Sequence, residues 1–225
     1  MTTPAKTPRI ALISATRSAI APAVEAFRAR FPEAEVWNLL DDKLLRDLET
    51  AGRMTPELEQ RMHALIRYAA AADADGILLT CSQYGPIAAD AGVEVPVLAP
   101  DEAAFAQVLG GDFATVLVLA SIDSSLDDTL ERLQAEAARA GSVVRFVGAV
   151  SHEARAAADR DDRAALATAL RETALAHAEP VDAVFLAQYS LSPAADAVAE
   201  ALGVPVVTGP DTAAVRLRGE LGSEG

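Results

Sequence analysis

The chain contains a single thiol, Cys81, and the residues around it would suit a reactive group. Cys81 ends an apolar run of strand length, GILLTC, and the polar residues SQY follow it. Backbone N–H groups and the dipole of a helix that begins there would favour the thiolate form. These features predict an acid/base or nucleophilic role for Cys81. The simpler alternative is that this cysteine is a small buried apolar side chain.

An internal repeat aligns Cys81 with a glutamine in the second half of the chain. The segment DGILLTCSQYGP, residues 75–86, matches DAVFLAQYSLSP, residues 182–193, without gaps, which places Gln188 at the position of Cys81. In both segments an apolar strand ends in a polar loop, and a proline follows near the start of a helix. A second pair, IALISATRS and VLVLASIDS, occurs earlier in each half and in the same order. Two ordered pairs indicate two α/β halves built on one plan.

Apolar runs of strand length alternate with helical patterns along the chain. Most of these runs are continuously apolar, as expected when helices cover both faces of a parallel sheet. The strand candidates are RIALIS, EVWNLL, GILLTC, VPVLA, ATVLVLA, VVRFVGAV, AVFLAQ and VPVVT. This alternation predicts an α/β fold with two pseudo-symmetric, doubly wound (flavodoxin-like) subdomains and a cleft between them.

The two subdomains are expected to share strands or termini, so their boundaries are predicted to be discontinuous. The first comprises residues 8–100 and 208–218, and the second comprises residues 101–207. Residues 1–7 and 219–225 are predicted to be loose tails.

Four loops that follow strands are candidates for ligand binding, namely residues 14–18, 80–85, 120–125 and 187–192. In open α/β sheets, ligands bind beyond the carboxyl ends of the strands, so these loops are expected to meet at the cleft. Hydroxyl and amide groups there can hold a carboxylate or an enediolate oxygen, and an arginine can bind a carboxylate with two hydrogen bonds. Helix caps, packing and an ordinary surface arginine are the alternative interpretations. The candidate substrate-binding residues are Thr16, Arg17, Ser18, Ser82, Gln83, Ser121, Tyr189 and Ser190.

Metal and phosphate sites are not indicated by the sequence. The three histidines are scattered, and no spacing of His, Cys and carboxylate residues matches a metal site. No glycine-rich phosphate loop is present. One histidine, His152, begins a helix after a strand in the second half and could reach the cleft.

Charge and composition exclude several classes of function. The chain has 33 acidic and 19 basic residues and a formal net charge of -14, which repels nucleic acid and anionic membranes. No apolar run reaches the ~20 residues that a membrane helix needs, and the start, MTTPAKTPRI, lacks the apolar region of a signal peptide. With one cysteine, no intrachain disulfide can form. We therefore expect a cytoplasmic protein, and a homo-oligomer is compatible with these features.

The repeated segments resemble the aspartate/glutamate/hydantoin racemase superfamily. GILLTCSQYGPIAADAGVEVPVLAPDEAA is similar to its first-cysteine segment, and AVFLAQYSLSPAADAVAEALGVPVVTGPD is similar to its second-cysteine segment. The resemblance implies an enzyme that needs no cofactor and acts on a small carboxylate through cysteine acid/base groups. The superfamily also includes maleate isomerases and arylmalonate decarboxylases.

Gln188 departs from the pattern of the two-base racemases, in which each half supplies a cysteine. An amide has no titratable proton near neutral pH, so racemisation by two thiols is not predicted. The decarboxylases use one cysteine as a proton donor but in the second half, so Cys81 takes that role only by pseudo-symmetry. The resemblance thus implies an isomerase or decarboxylase with one catalytic cysteine and with Gln188 in the second catalytic position. The alternative is a non-catalytic carboxylate-binding protein that kept the racemase fold.

Overall fold

The structure is a computed structural model that describes residues 6–222; residues 1–5 and 223–225 of the predicted tails lie outside it. Within the described range, strands alternate with helices. The strands are β1 (Arg9–Ser14), β2 (Glu35–Leu40), β3 (Gly76–Leu79), β4 (Val97–Leu98), β5 (Thr115–Ala120), β6 (Arg145–Val150), β7 (Ala183–Leu186) and β8 (Val206–Thr208). The α-helices are α1 (Ile20–Arg30), α2 (Leu44–Ala51), α3 (Pro56–Ala71), α4 (Glu102–Gly110), α5 (Asp123–Ala140), α6 (His152–Asp159), α7 (Arg163–Ala176), α8 (Ala195–Leu202) and α9 (Gly209–Gly222). Short 3₁₀ helices span Arg17–Ala19, Ser82–Asp90 and Tyr189–Ala194.

The strands form two parallel four-stranded sheets of the same topology. Their orders are β2-β1-β3-β4 and β6-β5-β7-β8. In the first sheet, β1 pairs through six residues with β2 and through four with β3, and β5 pairs with β6 and β7 in the matching register. In each sheet the chain winds outwards from the central pair in both directions, with helices interleaved. The predicted α/β class, with two pseudo-symmetric and doubly wound halves, is confirmed.

The central strands are buried because their residues are apolar on both faces. In the second sheet, Leu117 and Leu119 pack with residues of α6, α7 and α8 on one face, while Val116 and Val118 pack with α4 and α5 on the other. This division follows from the alternation of side chains along a strand. Burying one such side chain stabilises the fold by about 1.5–3 kcal/mol, so the central strands fix the position of the loops that follow them.

The aspartates that begin both repeated segments hold the starts of the central strands. Asp75 Oδ2 accepts a hydrogen bond from the backbone N–H of Arg9 (2.9 Å), and Asp182 Oδ2 accepts from those of Ala114 (2.9 Å) and Thr115 (2.8 Å). Lys6, which lies in the predicted tail, forms an ion pair with Asp75. Burial works against the charged carboxyl, but the bonds from Lys6 and Arg9 outweigh it and hold the pKa of Asp75 below its usual value.

The chain forms two compact units. The first contains the residues up to Pro100 and those from Ala214 onward, and the second is Asp101–Ala213. The chain therefore crosses back from the second unit to the first inside α9, between Ala213 and Ala214. The sequence predicted this crossing near residue 208. Thr208 Oγ1 donates to Asp211 Oδ2 (2.7 Å), which keeps the first turn of α9 with the second unit.

The C-terminal tail predicted at residues 219–225 begins too early, because α9 continues to Gly222. Gly76 of β3 explains the extension. The side chains of Leu217 and Leu221 lie against this glycine, at 3.2 and 3.5 Å from the point where a Cβ atom would stand. The helix therefore packs on the sheet of the first unit to its last turn.

Candidate active site

In each unit, the chain winds outwards in opposite directions from the two central strands. We call the gap between the carboxyl ends of these strands the winding point. The strand orders place this point between β1 and β3 in the first unit and between β5 and β7 in the second. Loops leave the sheet in different directions there, and ligands of open α/β sheets bind in the resulting crevice. Cys81 follows β3 and Gln188 follows β7, so each lies at the winding point of its own unit.

Cys81 lies directly before the 3₁₀ helix Ser82–Asp90 and is partly buried. Its backbone is extended, with φ −118° and ψ 117°, and its carbonyl accepts a hydrogen bond from the backbone N–H of Tyr84 (3.1 Å). Its side chain packs against the core of the first unit. The sequence had extended the strand to Cys81, but β3 ends at Leu79, so the thiol belongs to the loop.

Tyr84 fixes the loop that carries Cys81. The ring is fully buried, and its hydroxyl donates to the carbonyl of Leu44 at the start of α2 (2.9 Å). Burial, followed by the charge of nearby Cys81, raises the pKa of Tyr84 to about 12. The phenol is therefore neutral at pH 7 and serves as a structural donor.

A buried pair of hydroxyl groups joins the two central strands just before Cys81. Thr80 Oγ1 donates to Ser14 Oγ (2.9 Å), and the backbone N–H of Thr80 donates to the carbonyl of Ile13 (3.0 Å). Both side chains are shielded from solvent. Thr80 opens the candidate loop 80–85 but was not among the predicted substrate-binding residues; the available signal was a hydroxyl residue directly before the cysteine.

Gln188 is held by a serine that the sequence also predicted. Its Oε1 accepts hydrogen bonds from the backbone N–H of Ser121 (2.7 Å) and from Ser121 Oγ (2.9 Å). Ser121 is buried and Gln188 is partly buried. The structure thus brings together two predicted site residues from the loops after β5 and β7.

The predicted residues after β1 lie at the surface of the first unit. The guanidinium of Arg17 donates to Asp42 Oδ2 from Nε (3.2 Å) and from Nη2 (2.9 Å), with 81% of its side chain exposed. Arg17 also lines an open groove of about 510 Å³ together with residues of α1 and Leu40. Thr16 precedes the 3₁₀ helix Arg17–Ala19, and Ser18 lies within it, both partly buried.

The other predicted residues differ in their exposure. Ser82, Gln83 and Ser190 are partly buried, whereas Tyr189 is only 5% exposed. Burial, reinforced by the nearby carboxylates of Asp101 and Asp211, raises the pKa of Tyr189 well above its usual value. Tyr189 is therefore a neutral, buried phenol at pH 7.

A buried ion pair beside Tyr189 was not predicted from the sequence. Arg132 Nη1 lies 2.5 Å from Asp101 Oδ2, and the guanidinium also stacks over the ring of Phe105, 5.2 Å from its centroid. Burial raises the pKa of Asp101, and Arg132 opposes this effect. The pair joins α5 to the start of α4. The two residues are 31 positions apart, so a local sequence pattern cannot predict this ion pair.

His152 forms the third polar group at the carboxyl edge of the second sheet. Its Nε2 lies 3.6 Å from Asp123 Oδ2, and both side chains are exposed to solvent. His152 begins α6, which follows β6, and Asp123 begins α5, which follows the neighbouring strand β5.

Within residues 6–222, no group of three or more His, Cys, Asp or Glu side chains could hold a metal ion. None of the helices in that range combines the length and apolar character needed to span a bilayer.

The family model of Asp/Glu/Hydantoin racemases matches residues 10–217. The chain belongs to this family. The match includes both repeated segments and confirms the resemblance seen in them. Membership supports a racemase-type isomerase. No curated protein matches the chain.

Solved structures of racemases share the fold of this family member. Aspartate racemase from Picrophilus torridus superposes with a TM-score of 0.76 and 14% identity, over 96% of this chain and 94% of that chain. Glutamate racemase from Francisella tularensis in complex with D-glutamate gives 0.71 and 12%, over 97% and 82%. Allantoin racemase from Klebsiella pneumoniae gives 0.66 and 17%, over 96% and 89%. At these identities the likeness establishes the architecture.

The Ser14–Thr80 contact yields a stability prediction for the racemase-family fold. Thr80→Val removes one hydroxyl and leaves the other buried without its partner, so the free energy of unfolding should fall by about 1–3 kcal/mol. Adding Ser14→Ala should recover part of that loss, because the second unit has Ala120 and Ala187 at the equivalent positions. Urea unfolding of both single variants and the double variant measures the coupling. Strictly additive losses would contradict the pairing.

Proposed function

We propose that the chain is a cofactor-independent, cytoplasmic enzyme that transfers a proton at the carbon next to a carboxyl group of a small carboxylate. Cys81 is its single thiol acid/base. One observation carries the proposal: in a chain of the racemase family, the only cysteine follows a central strand at the winding point of its sheet.

The proposed step begins with Cys81 as a thiolate. Its sulfur takes the proton from the α-carbon, so an S–H bond forms while the C–H bond breaks. The electron pair moves into the carboxyl group and gives an enediolate. Returned to the same carbon, this proton gives only exchange with solvent; returned to another carbon of a conjugated substrate, it gives an isomer. No oxidant, reductant or cofactor enters this balance.

Hydrogen-bond donors near the strand ends would stabilise the enediolate, because donors aimed at developing charge lower the barrier. In the first unit, Ser82 and Gln83 follow Cys81, and Thr16, Arg17 and Ser18 follow β1. In the second unit, the proposed donors are Tyr189 and Ser190, while the backbone N–H and the hydroxyl of Ser121 donate to Gln188. A two-bond pair with a substrate carboxylate through Nε and Nη2 would require Arg17 to release Asp42, which occupies that edge of the guanidinium.

Decarboxylation is the second candidate, and the lone thiol favours it. When CO₂ leaves, the C–C bond breaks and its electron pair remains on carbon. One proton, delivered by the thiol of Cys81, then completes the reaction. A single acid suffices for this step, whereas racemisation requires a proton to leave one face and return on the other. Release of CO₂ from substituted malonates would separate the two reactions.

Replacing the thiol tests the proposal. Cys81→Ser should abolish turnover on any substrate that wild type converts, because an alcohol is a much weaker acid and nucleophile at neutral pH. The unfolding midpoint should change little, since serine is close to cysteine in size. Activity and urea unfolding are measured on the same preparation. Activity close to wild type would contradict a catalytic thiol and favour the binding-protein alternative.

The missing second thiol gives a stereochemical prediction. Wild type should not measurably racemise aspartate or glutamate. Any exchange of the α-proton in deuterium oxide should retain configuration, because Cys81 reaches only one face of the α-carbon. Gln188→Cys should introduce slow racemisation. Chiral chromatography and mass spectrometry after long incubation measure both effects. Rapid racemisation by wild type would instead assign a second base elsewhere, with His152 the first residue to replace.

A further inference from the structure

We infer that the side-chain amide of Gln188 is a fixed hydrogen-bond donor for a substrate oxyanion, and that Ser121 is the residue that positions it. The oxyanion is a carboxylate oxygen in the bound substrate and an enediolate oxygen during proton transfer. The inference rests on the proposed function. It assigns a chemical role to Gln188, the residue that the repeat aligns with Cys81.

The donors on Ser121 determine the orientation of the amide. A backbone N–H can only donate, so the Gln188 atom 2.7 Å from Ser121 N must be the carbonyl oxygen. The serine hydroxyl donates to the same oxygen at 2.9 Å. Turning the amide by 180° would set its NH₂ group against the N–H of Ser121 and lose both bonds. The NH₂ group therefore points away from Ser121, with two protons to donate.

The sheet fixes where this group stands. Gln188 and Ser121 follow the adjacent strands β7 and β5, and the ladder continues to the loop through the backbone N–H of Ala187, which donates to Leu119 O (2.9 Å). Gln188 has an extended backbone, with φ −136° and ψ 142°. In the described part of the chain, the only hydrogen bonds of the Gln188 side chain are those to its oxygen. The nitrogen therefore remains available to a ligand at the winding point.

A neutral amide is chemically suited to this task. It can stabilise a negative oxygen without holding a proton that could be transferred to carbon. The bonds from Ser121 also polarise the amide, because they draw electron density towards its oxygen and strengthen donation by its nitrogen. The loop after β7 in the second unit would thus bind and stabilise the negative charge of a carboxylate.

A purely structural role for the Gln188–Ser121 contact makes different predictions. If the contact only ties two loops together, any side chain that preserves the bonds to Ser121 should also preserve ligand binding. Gln188→Glu does preserve them, because a carboxylate oxygen can accept from both donors of Ser121. It also replaces the outward NH₂ group with a second, negatively charged acceptor. The variant therefore tests whether an anion binds beside the outward end of this side chain, and the NH₂ signals of wild type show whether the amide itself donates.

The experiment measures carboxylate binding by isothermal titration calorimetry, with acetate, malonate, succinate, L-aspartate and L-glutamate as probes. For each probe that wild type binds, Gln188→Glu should weaken binding about tenfold or more, in line with the loss of a hydrogen bond to a charged group. Ser121→Ala should weaken it less, because the backbone donor remains, and Ser121→Thr should restore it. Gln134→Glu, the same charge change on the exposed side of α5, should have no effect.

Two results would overturn the inference. One is unchanged binding in Gln188→Glu with a native unfolding midpoint, and the other is the failure of all five probes to bind wild type. A side-chain ¹⁵N–¹H spectrum adds a direct readout, since the NH₂ signals of Gln188 should shift when a probe binds and should stay in place if the contact is structural.

The titrations are carried out in wild type and in Cys81→Ser, so that the two proposals can fail separately. Weaker binding in Gln188→Glu on the Cys81→Ser background supports the oxyanion donor even if Cys81→Ser retains turnover, which would overturn only the proposed thiol chemistry. Conversely, loss of turnover in Cys81→Ser with unchanged binding in Gln188→Glu would overturn only the oxyanion donor.

Discussion

Parallel pairing of the two central strands determines which loop residues of each unit lie side by side. In the second unit, Leu119 of β5 pairs with Leu186 of β7, so the residues that follow these strands leave the sheet together. Ser121 and Gln188 can share hydrogen bonds for this reason, although 67 positions separate them. Burial of the apolar central strands holds this register, because a slip by one residue would turn every side chain to the other face.

The two units place different side chains at the paired ends of their central strands. In the first, the hydroxyls of Ser14 and Thr80 join the central strands one residue before the thiol position. In the second, alanines occupy those places, and the polar contact lies one residue further on, between Ser121 and Gln188. The same backbone thus supports a loop that carries a thiol in one unit and a hydrogen-bonded loop in the other. This asymmetry is what separates the proposed chemistry from racemisation by two thiols.

Much of the fold could be predicted because its signals are local. Apolar runs and the repeat predicted the strands, and the paired aspartates at the starts of the segments turned out to hold β1 and β5. The last turn of α9 was missed because it depends on Gly76, a residue far away in sequence that leaves space for Leu217 and Leu221. The same holds for the Asp101–Arg132 ion pair, since a charged residue on a helix gives no sign of its distant partner.

The residues of the candidate site were proposed from the sequence, but only some of their hydrogen bonds and contacts could be expected from it. Cys81 and Gln188 follow from the repeat, and Ser121 was identified from its loop. That Gln188 would offer its nitrogen rather than its oxygen follows only from the donors of Ser121. Tyr189 gave no sign of its burial, because a tyrosine in a loop after a strand is compatible with a ligand contact or with packing.

The rate at which iodoacetamide alkylates the native protein tests the central claim, a reactive thiol at Cys81, most directly. Because the chain has one cysteine, the mass of the intact protein reports this residue alone. The account predicts alkylation of folded protein at pH 7 and a slower reaction when a small dicarboxylate such as malonate is bound. A thiol that stays unmodified until the protein is unfolded would contradict it.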